Sequence, residues 1–225
     1  MNTINILNIK YCDIDIAEAV EHSMRAIRAR SGGYVLAPDS ALALAARKSR
    51  RLMAALRAAR LILPGDRGIF IASRILGLPL HYKMSGTDYA SALLARLGGE
   101  AGSVYIIDAA ANDLRGAATR LAARYPGLVI AGISDGRFVD DTELIDEINT
   151  ASPDLLLVCM SSPRQELWLY ETCPMLNAGL CLGLGRDDDN GAGQGGFFAR
   201  LARDPRRALK LPRIILAALW KRIAG

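Results

Sequence analysis

The chain has 225 residues, of which 51% are hydrophobic and 23% charged, a composition typical of a folded globular protein. Its net charge of +5 is unevenly placed, because residues 194–225 hold eight arginines and lysines against one aspartate and leave residues 1–193 slightly acidic. No uncharged apolar run reaches the roughly 18 residues of a membrane-spanning helix, and the N-terminus lacks the segments of a secretory signal, so we expect a cytoplasmic protein.

Short apolar runs alternate with amphipathic segments along the first 193 residues. The predicted strands are 3–10, 34–37, 61–63, 104–107, 128–133, 155–160 and 179–183. The predicted helices are 16–27, 40–60, 69–76, 87–97, 113–125, 141–149 and 163–171, with Asp15 expected to cap the first of them. This alternation predicts an α/β fold of Rossmann-like type, in which a mainly parallel sheet is flanked by helices on both faces.

The charge distribution divides the chain into two parts. Residues 1–193 form the predicted α/β domain, and residues 194–225 form a short, basic, amphipathic C-terminal appendage. The four cysteines contain no C-x-x-C pair, which argues against a disulfide framework and a zinc knuckle. His22 and His81 have no evident partner in sequence, so a histidine-based catalytic pair has little support.

In a parallel sheet, ligands bind where strands end and loops begin. Several segments of the chain include loops at such places, namely LPGDRGIFIASRILGLPL (63–80), MSGTDYASALL (84–94), RYPGLVIAGISDGRF (124–138) and INTASPDLLLVCMSSPRQELW (148–168). In order and spacing these segments resemble those of the bacterial WecG/TagA/CpsF glycosyltransferases. The resemblance runs from the N-terminal strand to about Gly193.

The resemblance implies a sugar transfer from a UDP-sugar to a membrane-bound, lipid-linked acceptor. In that family a Rossmann-like domain is completed by a helical C-terminal appendage that docks on the membrane, and no metal or other cofactor is generally needed. The division of this chain into an acidic body and a basic tail suits that arrangement.

The resemblance also implies a set of site residues, with Asp66 as the catalytic base that accepts the proton of the acceptor hydroxyl. The residues implied for binding the nucleotide-sugar are Asp39, Asp88, Gln165, Glu166 and Asp189. Four of these six residues have an alternative role: Asp66, Asp88 and Asp39 are also suited to cap helices, and Glu166 to favour the dipole at a helix start.

Several positions depart from the family pattern. The family has an aspartate followed by a glycine where this chain has Gly65-Asp66, and a glycine pair where it has Ala109-Ala110. Its Gly-Gly-x-Phe-Asp-Phe stretch is represented by residues 186–190, which keep only Asp189, and its Arg-Ala-Pro segment is missing. These departures motivate an alternative reading, a non-catalytic relative that binds a nucleotide or a protein partner.

The appendage combines basic side chains with Phe, Leu, Ile and Trp residues, a pattern typical of helices that lie on membranes. We expect Arg206, Arg207, Lys210 and Arg213 to contact lipid phosphates on an anionic membrane surface. A helix packed on the domain is the alternative, and nucleic-acid binding is not expected because the body shows no basic patch.

Together these observations predict a peripheral enzyme at the inner face of the cell membrane. It would transfer a hexose or N-acetylhexosamine from a UDP-sugar to a polyprenyl-diphosphate-linked sugar during surface polysaccharide synthesis. A third hypothesis, a nucleotide-binding oxidoreductase, is disfavoured because the chain lacks the glycine fingerprint of that class. The sequence does not fix the oligomeric state and is compatible with a homo-oligomer.

Overall fold

Parallel pairing of short apolar strands organises the part of the chain that this computed structural model describes, residues 1–108, 114–137 and 140–185. The elements are, in chain order, β1 (Thr3–Ile6), β2 (Ile9–Cys12), α1 (Ile16–Arg28), β3 (Tyr34–Leu36), α2 (Ser40–Ala46), α3 (Arg50–Ala58), β4 (Leu61–Ile62), α4 (Arg67–Ile75), α5 (Gly86–Gly98), β5 (Ser103–Asp108), α6 (Leu114–Arg124), β6 (Val129–Ser134), α7 (Thr142–Ala151), β7 (Leu155–Cys159), α8 (Arg164–Thr172), a 3-10 helix (Cys173–Met175) and β8 (Leu180–Gly183). Six strands form one sheet in the order β4-β3-β8-β7-β5-β6, and all its pairings are parallel. The predicted α/β class is confirmed.

Helices cover both faces of this sheet, because side chains of successive strand residues point to opposite faces. On one face, residues of α1, α5 and α6 pack against alternate strand residues such as Leu155 and Leu157. On the other face, residues of α2, α3, α4, α7 and α8 pack against Leu156 and Val158. All five residues of β7 are buried, as expected for a central strand covered on both sides.

The expectation of one strand over residues 3–10 is wrong. The segment folds instead as an antiparallel hairpin of β1 and β2, in which Ile6 pairs with Ile9 across a two-residue turn. The two turn residues, Leu7 and Asn8, have φ angles of 54° and 67°, which is the conformation of a type I′ turn. Asparagine tolerates this conformation, but leucine gives no turn signal, so the alternation of apolar residues concealed the turn.

The expectation of one helix over residues 40–60 is also wrong, because α2 ends at Ala46 and α3 begins at Arg50. Ser49 separates the two helices: its hydroxyl accepts a hydrogen bond from the backbone N–H of Leu52 at 3.2 Å. Serine is one of the preferred residues at this position, since its oxygen satisfies a donor that has no partner within the helix. A local cap therefore overrides the helix propensity of the alanine-rich run.

A buried aspartate fixes the connection between α4 and α5. Asp13, which is 2% exposed, accepts hydrogen bonds from the backbone N–H groups of His81 and Tyr82 at 2.7 and 3.3 Å. Its other carboxylate oxygen lies 2.7 Å from Nδ1 of His81. Burial raises the pKa of Asp13, but these hydrogen bonds outweigh that effect and leave the pKa below its ordinary value.

We expect Asp13→Asn to lower the free energy of unfolding by about 2 kcal/mol at neutral pH, because the charged acceptor of these hydrogen bonds is lost. A lowered native pKa stabilises the fold above the unfolded pKa, and that contribution is lost as the pH falls through the native pKa. Urea titrations at neutral and acidic pH should therefore show the difference between wild type and variant shrinking in acid. The same change at the exposed Asp146 is the control, and a pH-independent difference would contradict the assignment.

Candidate active site

The candidate site lies at the edge of the sheet at which the parallel strands end, here called the carboxyl edge. Asp39 and Asp66 follow β3 and β4, Asp108 ends β5, and Gln165 and Glu166 lie in the first turn of the helix that follows β7. Parallel strands bring their carboxyl ends to one edge, and ligands of open α/β sheets bind there. The strand order therefore gathers the four predicted positions, together with Asp108, at one edge of the sheet.

Contacts between the loops show how closely the carboxyl ends approach one another. A Cβ atom added at Gly86, the first residue of α5, would lie 3.0 Å from Cβ of Ala37 and 3.5 Å from the side chain of Leu184. The N–H group of Gly185 donates a hydrogen bond to Oε1 of Gln165 at 2.8 Å. The ends of β3 and β8 and the start of α5 therefore meet at this edge, and Gln165 links the end of β8 to α8.

Asp66, the residue predicted to be the base, caps α4. Its Oδ1 accepts a hydrogen bond from the N–H of Ile69 at 3.0 Å. Its Oδ2 accepts two hydrogen bonds from Ser40, one from the N–H at 3.1 Å and one from the hydroxyl at 2.6 Å. A carboxylate offers about four acceptor positions, so these three bonds leave room for one further proton donor. Asp66 therefore joins the starts of α2 and α4 while keeping one acceptor position.

Gly65 has no room for a side chain. A Cβ atom added there would lie 2.5 Å from the carbonyl oxygens of both Ala37 and Pro38, well inside van der Waals contact. These obstructing atoms belong to the backbone that follows β3, so they cannot rotate away. In this backbone the carboxylate of the loop can occupy position 66 but not position 65.

Gln165 is 1% exposed and uses its side chain to hold two loops together. Its Oε1 accepts hydrogen bonds from the N–H groups of Met160 at 3.3 Å and Gly185 at 2.8 Å, and its Nε2 donates to Oε1 of Glu166 at 3.2 Å. The preceding Ser162–Pro163 peptide bond is cis. Gln165 thus fixes the ends of β7 and β8 relative to α8, and its predicted contact with a nucleotide remains a prediction.

Glu166 is a buried carboxyl group, 3% exposed. Its Oε1 accepts hydrogen bonds from the hydroxyl of Ser162 at 2.9 Å and from Gln165, whereas Oε2 has no hydrogen-bond partner among the described residues. Burial raises the pKa of Glu166, hydrogen bonds to its charged form oppose this in part, and the charge of Asp39 raises the pKa further. Glu166 therefore stays protonated to a higher pH than an exposed glutamate does.

We expect Glu166→Gln to increase the free energy of unfolding at pH 8, by an amount on the order of 1 kcal/mol, because it removes the cost of a buried negative charge. A raised native pKa makes wild type lose stability as the pH rises above the ordinary glutamate pKa of 4.5, whereas the variant does not titrate. The advantage of the variant should therefore vanish at pH 4 in thermal melts. Glu171→Gln is the control, since Glu171 lies on the same helix but is exposed and paired with Arg51. An advantage of E166Q that is equal at both pH values would contradict this account.

Asp39 and Asp88 are exposed residues at helix starts. Asp39 caps α2 and accepts a hydrogen bond from the N–H of Leu42 at 2.8 Å. Asp88 lies in the first turn of α5 and accepts a hydrogen bond from the hydroxyl of Ser85 at 2.6 Å, while Ser85 accepts one from the N–H of Asp88 at 3.0 Å. Both aspartates thus have the helix-start roles given above as alternatives, and their nucleotide contacts stay predictions.

Sequence reasoning missed Tyr11, a fully buried residue of β2. Burial raises its pKa, and the negative charges of Asp66 and Asp39 raise it further. Its hydroxyl has no hydrogen-bond partner among the described residues. No pattern in the sequence marks this position, because a tyrosine within an alternating strand is typical of an ordinary core residue.

Several predicted residues lie outside the described part of the chain. They are Asp189 near the site, and Arg206, Arg207, Lys210 and Arg213 in the appendage. Within residues 1–108, 114–137 and 140–185, no group of three or more His, Cys, Asp or Glu side chains is arranged to hold a metal ion. The same residues include no helix with the length and apolar character needed to cross a bilayer.

Comparison with known proteins shows which enzyme family this chain is similar to. A sequence model described as "Glycosyl transferase WecG/TagA/CpsF family" matches residues 4–195. A protein of Bacillus spizizenii named N-acetylglucosaminyldiphosphoundecaprenol N-acetyl-beta-D-mannosaminyltransferase is 26% identical over 97% of this chain and 91% of its own length. A protein of the same name from Bacillus subtilis is 25% identical over 97% of this chain and 92% of its own length.

Proposed function

Because the chain belongs to the WecG/TagA/CpsF family of glycosyl transferases, we propose that it transfers a hexose or N-acetylhexosamine from a UDP-sugar to a polyprenyl-diphosphate-linked sugar. The product would enter the synthesis of a bacterial surface polysaccharide. The observation that carries the proposal is that the family match includes the described strand ends and loops that form the carboxyl edge. The names of the two Bacillus proteins specify a lipid-linked N-acetylglucosamine acceptor and an N-acetylmannosaminyl group, and we extend that acceptor class to this chain.

In the proposed reaction the acceptor hydroxyl oxygen attacks the anomeric carbon of the donor sugar. The bond between that carbon and the diphosphate oxygen breaks, and UDP leaves with the bonding electrons. The hydroxyl proton passes to the carboxylate of Asp66, which must lie within hydrogen-bond reach of it. The fourth acceptor position of Asp66, unused by Ser40 and Ile69, supports this role. Attack on the face opposite the leaving group inverts the anomeric configuration.

Donor binding is proposed to involve the loops that surround Asp66. The N-terminus of α8 faces the carboxyl edge and is suited to a diphosphate, because backbone N–H groups at a helix start favour negative charge. Asp39 follows β3 at the carboxyl edge and is exposed, a position that suits a contact with a ribose hydroxyl. Gln165 holds the loops after β7 and β8 in position, and Glu166 lies next to it in the first turn of α8. Asp88 and Asp189 complete the proposed set for the nucleotide-sugar.

The acceptor carries a long polyprenyl chain, which requires the enzyme to work at a membrane surface. We propose that the basic appendage, through Arg206, Arg207, Lys210 and Arg213, contacts lipid phosphates at the inner face of the cell membrane. Its amphipathic composition supports this assignment.

Product analysis with a panel of donors tests the proposal. Full-length protein is incubated with each of several UDP-sugars and a polyprenyl-diphosphate-linked N-acetylglucosamine in detergent, and the lipid fraction is analysed by mass spectrometry. We expect one donor to extend the acceptor by one sugar residue. A folded protein that extends no acceptor with any UDP-sugar would contradict the proposal.

A further inference from the structure

A segment rich in positive charge connects the candidate base to α5. Between Asp66 and Asp88 the chain contains Arg67, Arg74 and Lys83 but no acidic residue. These three side chains are exposed, and none forms an ion pair among the described residues. The segment therefore presents uncompensated positive charge to solvent, which attracts anionic surfaces.

The same segment exposes two large apolar side chains. Leu78 is 49% exposed, and Tyr82, four residues later in the chain, is 47% exposed. Single exposed apolar residues are common on soluble proteins, but neighbouring ones framed by basic residues are typical of surfaces that enter a membrane interface. We call Arg74, Leu78, Tyr82 and Lys83 the α4–α5 patch.

Hydrogen bonds hold this patch in a defined conformation. The N–H of Leu78 donates to the carbonyl of Ser73 at 2.9 Å, and the N–H of Leu80 donates to the hydroxyl of Ser73 at 3.1 Å. Leu80 is 3% exposed and packs into the core, while Asp13 binds the next two backbone N–H groups as described above. Burial of Leu80 between Leu78 and Tyr82 thus fixes the two outer side chains on the surface.

The patch lies on a segment whose two ends are at the candidate active site. The segment leaves the carboxyl edge at Asp66 and returns to it at Gly86, which lies against Ala37. Tyr82 and Lys83 are four and three residues from Gly86, a span of at most about 14 Å of extended chain. A membrane on which the patch rests would therefore lie beside the edge that holds the candidate base. An acceptor sugar attached to a membrane lipid has to reach that same edge.

We propose that the α4–α5 patch is a second membrane-contact site, which inserts Leu78 and Tyr82 into the interface of an anionic bilayer while Arg74 and Lys83 bind lipid phosphates. This proposal rests on the proposed function, because a lipid-linked acceptor supplies the reason for the contact. Two contacts, the patch and the appendage, orient the carboxyl edge toward the membrane better than one contact alone. Binding strength at an interface follows the buried apolar area plus the attraction of basic side chains to anionic lipids.

Site-specific fluorescence quenching tests the proposal. Tyr82→Trp is made in the full-length chain carrying Trp220→Phe. The signal of the Trp220→Phe parent, whose remaining indole is the buried Trp168, is subtracted as the baseline. The protein is mixed with vesicles of phosphatidylglycerol and phosphatidylcholine with brominated acyl chains. We expect strong quenching of the indole at position 82. Tyr170→Trp in the same background is the matched control. Tyr170 is also exposed but lies in the last turn of α8, a helix that starts at the carboxyl edge and runs away from it. Vesicle-bound protein with no quenching at position 82 would overturn the proposal.

A second variant measures the contribution of the patch to binding. Leu78→Ser combined with Tyr82→Ser should lower partitioning of the full-length protein into anionic vesicles by about tenfold, as expected from the loss of two half-buried apolar side chains. Tyr170→Ser combined with Met175→Ser removes comparable exposed apolar residues elsewhere and should leave partitioning unchanged. If the patch variant instead converts a dimer to a monomer in light scattering and binds vesicles normally, the patch is a contact between copies and the proposal is wrong.

Turnover separates this proposal from the proposed function. With an acceptor that has a short, water-soluble prenyl chain, the patch variant should retain the activity of wild type. Wild-type turnover without quenching at position 82 would refute the membrane contact alone. Quenching at position 82 without turnover on any donor would refute the proposed function alone.

Discussion

Replacing Asp66 with asparagine is expected to reduce acceptor-dependent UDP release by about 100- to 10,000-fold, the range usually lost with a general base. The amide cannot accept the proton of the attacking hydroxyl, although its shape is nearly that of the carboxylate. Initial rates with the best UDP-sugar measure the effect. Full activity of D66N would exclude Asp66 as the base.

The capping contacts of Asp66 make a stability control necessary. An asparagine at position 66 turns an N–H group toward Ile69 or Ser40, both of which donate to the aspartate, so we expect about 1 kcal/mol of destabilisation. Asp15→Asn makes the same change at the cap of α1, where Asp15 accepts a hydrogen bond from the N–H of Glu18 at 2.8 Å. A catalytic role requires that D66N lose activity at a temperature where both variants are folded and that D15N retain it.

Replacing Gly65 with alanine is expected to lower the free energy of unfolding by about 3 kcal/mol, the upper part of the range for overpacked positions. The added methyl group would lie 2.5 Å from two backbone carbonyl oxygens, so the loops after β3 and β4 have to separate. Separation would also displace Asp66, and activity should fall together with stability. Urea unfolding monitored by circular dichroism gives the stability change.

Gly99→Ala is the matched control for this substitution. Gly99 follows α5, and a Cβ atom there would have its nearest neighbour at 3.4 Å, an ordinary contact distance. We expect G99A to unfold within about 0.5 kcal/mol of wild type. If G65A were as stable as G99A, the close approach of the two loops would not exist in solution.

The parallel sheet could be predicted from the sequence because its strands are short apolar runs, and each of those before β8 is followed by an amphipathic helix. β7 is an example: its residues Leu155–Cys159 are all apolar and all buried, which only a strand covered on both faces allows. The carboxyl-edge position of Asp66 and Gln165 followed from the same alternation. Strand order did not, since it depends on pairings between distant segments, such as β3 with β8.

Two features of the candidate site could not be predicted because they depend on tertiary contacts. The absence of space at Gly65 arises from the backbone after β3, which is distant in sequence. The charges of Asp66 and Asp39 act on the buried Tyr11 only because residues 3–12 fold as a hairpin, and the Leu7-Asn8 turn lacks the glycine that usually marks such turns. Local patterns indicate elements, whereas these contacts depend on how the elements are assembled.

A glycosyltransferase of this class releases UDP only when the lipid-linked acceptor is present, so UDP release is measured with and without that acceptor. Full-length wild-type protein, the preferred UDP-sugar and the acceptor are combined in detergent, and UDP is quantified over time. We expect release that requires the acceptor and that falls with D66N. Folded protein that binds UDP but releases none from any UDP-sugar in the presence of acceptor would contradict it and identify a non-catalytic nucleotide-binding relative.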